Sequence, residues 1–158
     1  DKMNSLLNIF NGTDMLIAAH CEDQETIKNN IEKYKQKYKG ADDIPVSAHP
    51  SIRSVPACYA SSELAVRLAK IAGARLHILH VSTAKELQLF SDEPLASKNI
   101  TAEACVAHLL FTLTHYNSLG TRIKCNPAVK RKTDREALRA AVNSGLIDVI
   151  ATDTLLTC

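Results

Sequence analysis

His20, His80 and Asp153 each close a short apolar run of this chain. The runs are Met15-Leu16-Ile17-Ala18-Ala19-His20, Leu76-His77-Ile78-Leu79-His80 and Ile147-Asp148-Val149-Ile150-Ala151-Thr152-Asp153. Runs of this length and composition read as buried β-strands. A strand that delivers a polar side chain at its C-terminal end is where α/β enzymes keep their chemistry. Any one such residue is an ordinary strand-end polar group; the three together favour a shared site. Two neutral imidazoles and a carboxylate suit zinc or a similar divalent metal and leave coordination positions open, as a catalytic site requires. Water on such a metal is acidified toward neutral pH. A carboxylate beside it can take the proton and pass it to a leaving nitrogen. The chemistry expected is metal-assisted hydrolysis, although no tight motif such as His-Glu-x-x-His is present.

Other reactive residues read more plainly. Alternation puts Leu76, Ile78 and His80 on one strand face and His77, Leu79 and Val81 on the other. His77 is therefore expected to point away from His80 and to pack, hydrogen-bonded, between strand and helix. Cys21 follows His20 and reads as packing beside it. Glu103 interrupts an apolar stretch and reads equally as a buried partner or a solvated edge residue. His49 and Arg53 are expected at the surface, as is His115; His108 is expected in the core or at the surface. Ser82 and Thr83 read as helix-start residues, because no histidine–acid pair is placed to activate either.

The elements that must position these residues alternate. Asp1–Phe10 reads as the end of a helix, so the sequence is expected to open inside an element whose upstream part is missing. A strand to His20 and a helix over Gln24–Lys39 follow. Residues 41–51, with Pro45 and Pro50, read as a loop. A helix starts near Ser54, carries Pro56 in its first turn and stops at Gly73. After the His80 strand, Thr83-x-x-Glu86 reads as a capping box opening a helix over Thr83–Phe90. Asn99–Val106 is a candidate strand, and His108–Leu119 a short helix plus loop. Thr133-x-x-Glu136 is a second capping box, opening a helix that runs to Gly145. Four strand–helix repeats imply a parallel sheet with right-handed crossovers, either half of a (β/α)₈ barrel or a doubly wound sheet. No glycine-rich phosphate loop follows any strand, which weighs against the second.

The chain has 158 residues, one domain's worth, with 46% hydrophobic content and a net charge of +2. No basic stripe with interleaved aromatics suggests nucleic acid. No run is long enough to span a membrane, and the start is not a signal peptide. Five cysteines without Cys-x-x-Cys spacing suit reduced thiols in the cytoplasm.

Four motifs occur in order: Ala19-His20-Cys21-Glu22-Asp23, Leu76-His77-Ile78-Leu79-His80-Val81-Ser82-Thr83, Lys124-Cys125-Asn126-Pro127-Ala128-Val129-Lys130 and Asp148-Val149-Ile150-Ala151-Thr152-Asp153. Together they resemble the C-terminal half of the barrel of a dihydroorotase, in the amidohydrolase superfamily. Allantoinases and hydantoinases share its metal logic and remain the alternative, as does a non-catalytic truncated homologue acting as a binding piece. The resemblance implies a partial (β/α)₈ TIM barrel, residues 1–158 forming one fragment with strands five to eight. It implies a centre of one or two zinc ions held by His20, His80 and Asp153. Asp153 is also implied as the catalytic proton shuttle, and Asn126 as a contact to the substrate ring. The implied reaction interconverts dihydroorotate and N-carbamoyl-aspartate, a step of pyrimidine synthesis, in the cytoplasm.

The chain departs from that family in ways that matter. The first-strand His-x-His pair, the arginine after it and the bridging ligand of the fourth strand are absent. Where the family continues Ala-Thr-Asp with His-Ala-Pro-His, Asp153 here precedes Thr154-Leu155-Leu156-Thr157-Cys158. The chain is therefore expected to be a fragment that does not turn over dihydroorotate alone. Its substrate would be a small molecule, with no nucleic acid or membrane partner. Its open barrel edges favour a homodimer or another association.

Overall fold

The computed structural model describes residues 2–40 and 42–152. Among them four strands, β1 (Ile17–Ala19), β2 (Leu76–Ile78), β3 (Ile100–Cys105) and β4 (Val149–Ala151), pair in parallel in the order β1-β2-β3-β4. Each strand lies beside its sequence neighbour. A doubly wound sheet reverses its strand order at a switch point; these four strands show no reversal, the order an arc of a barrel wall requires.

Among the described residues, seven helices connect or flank the strands: α1 (Lys2–Asn11), α2 (Gln24–Tyr38), α3 (His49–Ile52), α4 (Val55–Ala72), α5 (Val106–Leu110), α6 (Tyr116–Leu119) and α7 (Lys132–Ser144). The longer ones obey local rules. Asp23 caps α2 by accepting the Thr26 N–H at 2.9 Å. Ser54 caps α4, Pro56 sits in its first turn, and Gly73 ends it in the left-handed region at φ 65°, which glycine adopts without a steric penalty.

Three sequence expectations change here. Residues 41–51 were expected as plain loop, but Val46–Ala48 forms a 3₁₀ turn that runs into α3. The helix expected over Thr83–Phe90 is only a 3₁₀ turn at Glu86–Leu89. The Glu86 carboxylate is drawn inward, where it accepts bonds from Ser62 Oγ at 2.6 Å, Thr83 Oγ1 at 2.9 Å and Ser82 N–H at 3.3 Å. The cap residues are those expected, but their bonds tie the turn to α4 instead of starting a helix. At α7 the cap lies earlier than Thr133: Asp134 accepts the Arg131 N–H at 3.2 Å and also the Ala84 N–H at 2.9 Å.

One core joins sheet and helices. Leu76, Ile78, Ala102 and Ala104 are fully buried against Leu68 and Ala69 of α4 and Leu138 and Ala141 of α7. Alternation then assigns Ala18, His77, Thr101, Glu103 and Val149 to the opposite face of the sheet. Below that face, Lys98 Nζ bonds Asp148 Oδ1 and the Gly145 carbonyl, both at 2.8 Å. Asp148 Oδ2 accepts the Ala102 N–H at 3.0 Å. The pair is 1% and 4% exposed and fixes the start of β4 against β3.

Candidate metal centre

β1 and β2 end side by side, with Ala19 opposite Ile78 in the register. His20 leaves the end of β1. His80 lies two residues beyond β2 in the left-handed region, at φ 39°. That conformation costs a non-glycine residue of order 1–2 kcal/mol and is held by β3. Glu103 Oε1 accepts the His80 N–H at 3.2 Å, and the Glu103 carbonyl accepts the Val81 N–H at 2.8 Å. Strict alternation would leave His80 with Leu76 and Ile78 on the helix side. The left-handed turn brings its ring instead to His20: His20 Nδ1 and His80 Nε2 are 2.9 Å apart, and the rings meet edge to face with centroids 4.7 Å apart.

Behind His20 stands a charged pair. His20 Nε2 lies 3.3 Å from Glu22 Oε2, and the same carboxylate is bonded by the Arg53 guanidinium. The Glu22 side chain is 0% exposed, whereas that of His20 is 42% exposed. Burial by itself pushes the Glu22 carboxyl up, but the His20 ring and Arg53 outweigh it, and the group stays below the usual carboxylate range. Arg53, expected at the surface, is thus committed to an interior ion pair. Glu103 proves to be the buried partner: besides His80 it reaches His77 Nε2 at 3.3 Å, and His77 Nδ1 bonds Thr101 Oγ1 at 2.8 Å. His77 is hydrogen-bonded as expected, but to β3 across the sheet, not between strand and helix.

The remaining expected residues separate. Asp153 lies outside the described residues. Asn126 is exposed and lines a cleft of about 380 Å³ with Arg53, His49 and Lys124. His49 is buried, not superficial, and bonds the Cys125 carbonyl at 2.8 Å. Its burial lowers its proton affinity, and the nearby cations Arg53, Lys124 and Lys130 add to that. His108 is a core residue bonded to the Pro127 carbonyl at 2.9 Å. His115 accepts the Thr112 N–H at 3.0 Å within its own turn. Cys21 is buried beside His20, with its thiol pushed up to about 11 chiefly by burial.

The donor chemistry fits a divalent metal as far as it goes. Two imidazole nitrogens face one another, and the far nitrogen of His20 rests on a carboxylate, the support that metal-binding histidines ordinarily have. Among the described residues no group of three or more His, Cys, Asp or Glu side chains could hold a metal ion. Glu22 and Glu103, which brace the two histidines, were the residues least legible in advance. Their one signal was an acidic residue beside or within an apolar run.

The dihydroorotase of Halalkalibacterium halodurans is 34% identical over 142 residues, 89% of this chain and 31% of the relative. That of Leifsonia xyli subsp. xyli is 33% identical over 153 residues, 96% of this chain and 33% of the relative. The chain is similar to one segment of the dihydroorotases. It spans about a third of their length. No family model matches. Among solved structures, the L-hydantoinase of Arthrobacter aurescens superposes with a TM-score of 0.85 at 23% identity, over 96% of this chain and 33% of its own. A D-hydantoinase from Bacillus sp. AR9 gives 0.84 at 19%, over 97% and 34%. The fold of this dihydroorotase-like segment is therefore part of a (β/α)₈ barrel, four parallel strands with outer helices.

Proposed function

We propose that this segment belongs to a zinc-dependent cyclic amidohydrolase that interconverts dihydroorotate and N-carbamoyl-aspartate in pyrimidine synthesis. The observation that carries the reading is the meeting of His20 Nδ1 and His80 Nε2 at 2.9 Å, at the C-terminal ends of neighbouring parallel strands. Similarity to dihydroorotases over most of the chain favours this substrate over a hydantoin or allantoin. His20, His80 and Asp153 would hold one or two zinc ions, other ligands lying in strands this chain does not contain. When bound, zinc supplies the Lewis acidity that makes water nucleophilic near neutral pH and polarises an amide carbonyl. The work of the chain's own residues is then positional and protonic. The left-handed turn and Glu103 aim His80, while Glu22 and Arg53 aim His20. Water adds to the ring amide carbonyl, and the carbon–nitrogen bond breaks. Asp153 takes the proton from the attacking water and delivers it to the departing nitrogen. Asn126 contacts the ring.

The substrate is a small molecule, the compartment the cytoplasm, and the assembly a homodimer or another association through the barrel edges. No helix among the described residues is long and apolar enough to cross a membrane. The test is zinc uptake by the chain, read by competition with a chromophoric chelator. His20→Ala and His80→Ala are each expected to weaken uptake at least tenfold, while the chain alone leaves dihydroorotate unhydrolysed. Uptake by either variant equal to that of the unaltered chain would sink this reading.

A further inference from the structure

Asn126 is exposed and sits in a stretch, residues 124–131, that enters neither helix nor strand. The carbonyls of such a stretch have no ladder to join, and a buried one must find its donor elsewhere. The two residues flanking Asn126 find theirs in histidines. The Cys125 carbonyl accepts from His49 Nε2 at 2.8 Å, and the Pro127 carbonyl accepts from His108 Nε2 at 2.9 Å. A carbonyl only accepts, so both rings carry a proton on Nε2. The histidines come from different elements, His49 from the start of α3 and His108 from α5, and both are buried. His49 also meets the Tyr116 ring edge to face, with centroids 6.5 Å apart. Tyr116 packs with Ile123 and Val129 in a small core of its own, so the donor is itself anchored. Asn126 shares its cleft with Arg53, whose guanidinium bonds Glu22 beside His20. The cleft therefore adjoins the histidine pair.

We propose that His49 and His108 are positioning residues that clamp the backbone on both sides of Asn126 and so aim its side-chain amide into the cleft. One held carbonyl would leave the loop free to swing about the other side. With both held, and with the proline ring fixing φ at residue 127, few backbone rotations remain between them. An exposed asparagine has little packing of its own to orient it; the clamp supplies what packing does not. An amide aimed this way offers both donor and acceptor, which matches the N–H and C=O edge of a cyclic amide. This inference rests on the reading of Asn126 as a contact to the substrate ring and uses no metal.

The test follows Asn126 in ¹⁵N spectra of the chain, alone and titrated with dihydroorotate. His49→Phe and His108→Phe keep a ring and lose the N–H; His49→Gln and His108→Gln keep an N–H at similar reach. The backbone order parameter at Asn126 is expected to fall from about 0.85 to below about 0.6 in each phenylalanine variant and to stay high in each glutamine variant. The dissociation constant for dihydroorotate should rise about fivefold on losing either bond, the worth of one neutral hydrogen bond, and recover in the glutamine variants. The α4 amide shifts are expected to stay unchanged throughout, which separates a local clamp from loss of fold. Phenylalanine variants with an unaltered Asn126, or glutamine variants as impaired as the phenylalanine ones, overturn the inference. If a phenylalanine variant does not fold, the imidazole spectrum of the unaltered chain decides: protons on Nε2 of both rings support the clamp, and a proton on Nδ1 alone of either ring overturns it. Asn126→Ala tests the underlying reading. If it binds dihydroorotate as the unaltered chain does, or if neither binds, Asn126 is not the substrate contact, and the order parameters alone decide whether the histidines hold the loop.

Discussion

At the scale of single residues, burial decides reactivity. Cys21 and Cys58 have thiols pushed up to about 11 and about 12, in both cases chiefly by burial. Thiolate is the reactive form, so both are inert near neutrality. Labelling with a thiol reagent at pH 8, followed by mass spectrometry, should leave both unmodified in the folded chain and modify both in urea. Glu86 behaves in the same sense: burial raises its pKa despite its hydrogen bonds to Ser62, Thr83 and Ser82. A carboxyl with a raised folded-state pKa contributes its full stability below its unfolded value, and loses it as pH climbs through the folded value. Compared with Glu86→Gln, the unaltered chain should lose stability as pH rises above the usual glutamate range. Urea midpoints at successive pH values check this; an offset that stays constant with pH counts against it. His20 and His80 were legible as strand-end imidazoles because apolar runs stop at them. The left-handed turn at His80 was not, since histidine carries no glycine-like signature and the turn is imposed by Glu103 from another strand.

At the scale of elements, local chemistry announced most boundaries. Ser54, Pro56 and Gly73 delimit α4, and Asp23 opens α2, as capping rules require. The failures were tertiary. Thr83 and Glu86 satisfy the local rule for a helix start, but Glu86 is drawn to Ser62 of α4 and the chain makes a single tight turn. Asp148 looked like one more residue of an apolar run; it is half of a buried ion pair that seats β4 on β3. Lys98→Met leaves that carboxylate uncompensated in the interior and should cost about 3–5 kcal/mol. Adding Asp148→Asn should recover part of the loss. Urea denaturation of the three chains measures it, and a cost below about 1 kcal/mol for Lys98→Met would mean the pair is solvated.

At the scale of the whole molecule, the arc leaves one side of β1 and one side of β4 without a strand among the described residues. Met15 beside β1 is 74% exposed, and Ile150 on β4 is 56% exposed. Open edges and exposed apolar side chains drive association. Sedimentation of the isolated chain should therefore show mass rising with concentration, and Ile150→Lys should suppress the rise. The barrel arc was legible because four repeats of one pattern need a parallel sheet, and the missing phosphate loop argued against the doubly wound alternative.

Because each strand pairs with the one made just before it, the sheet can grow by simple addition. A chain leaving the ribosome never has to hold a gap open for a later strand to enter. Nascent chains stopped at Gly145 should already protect the amides of β2 from exchange, while β4 has yet to arrive.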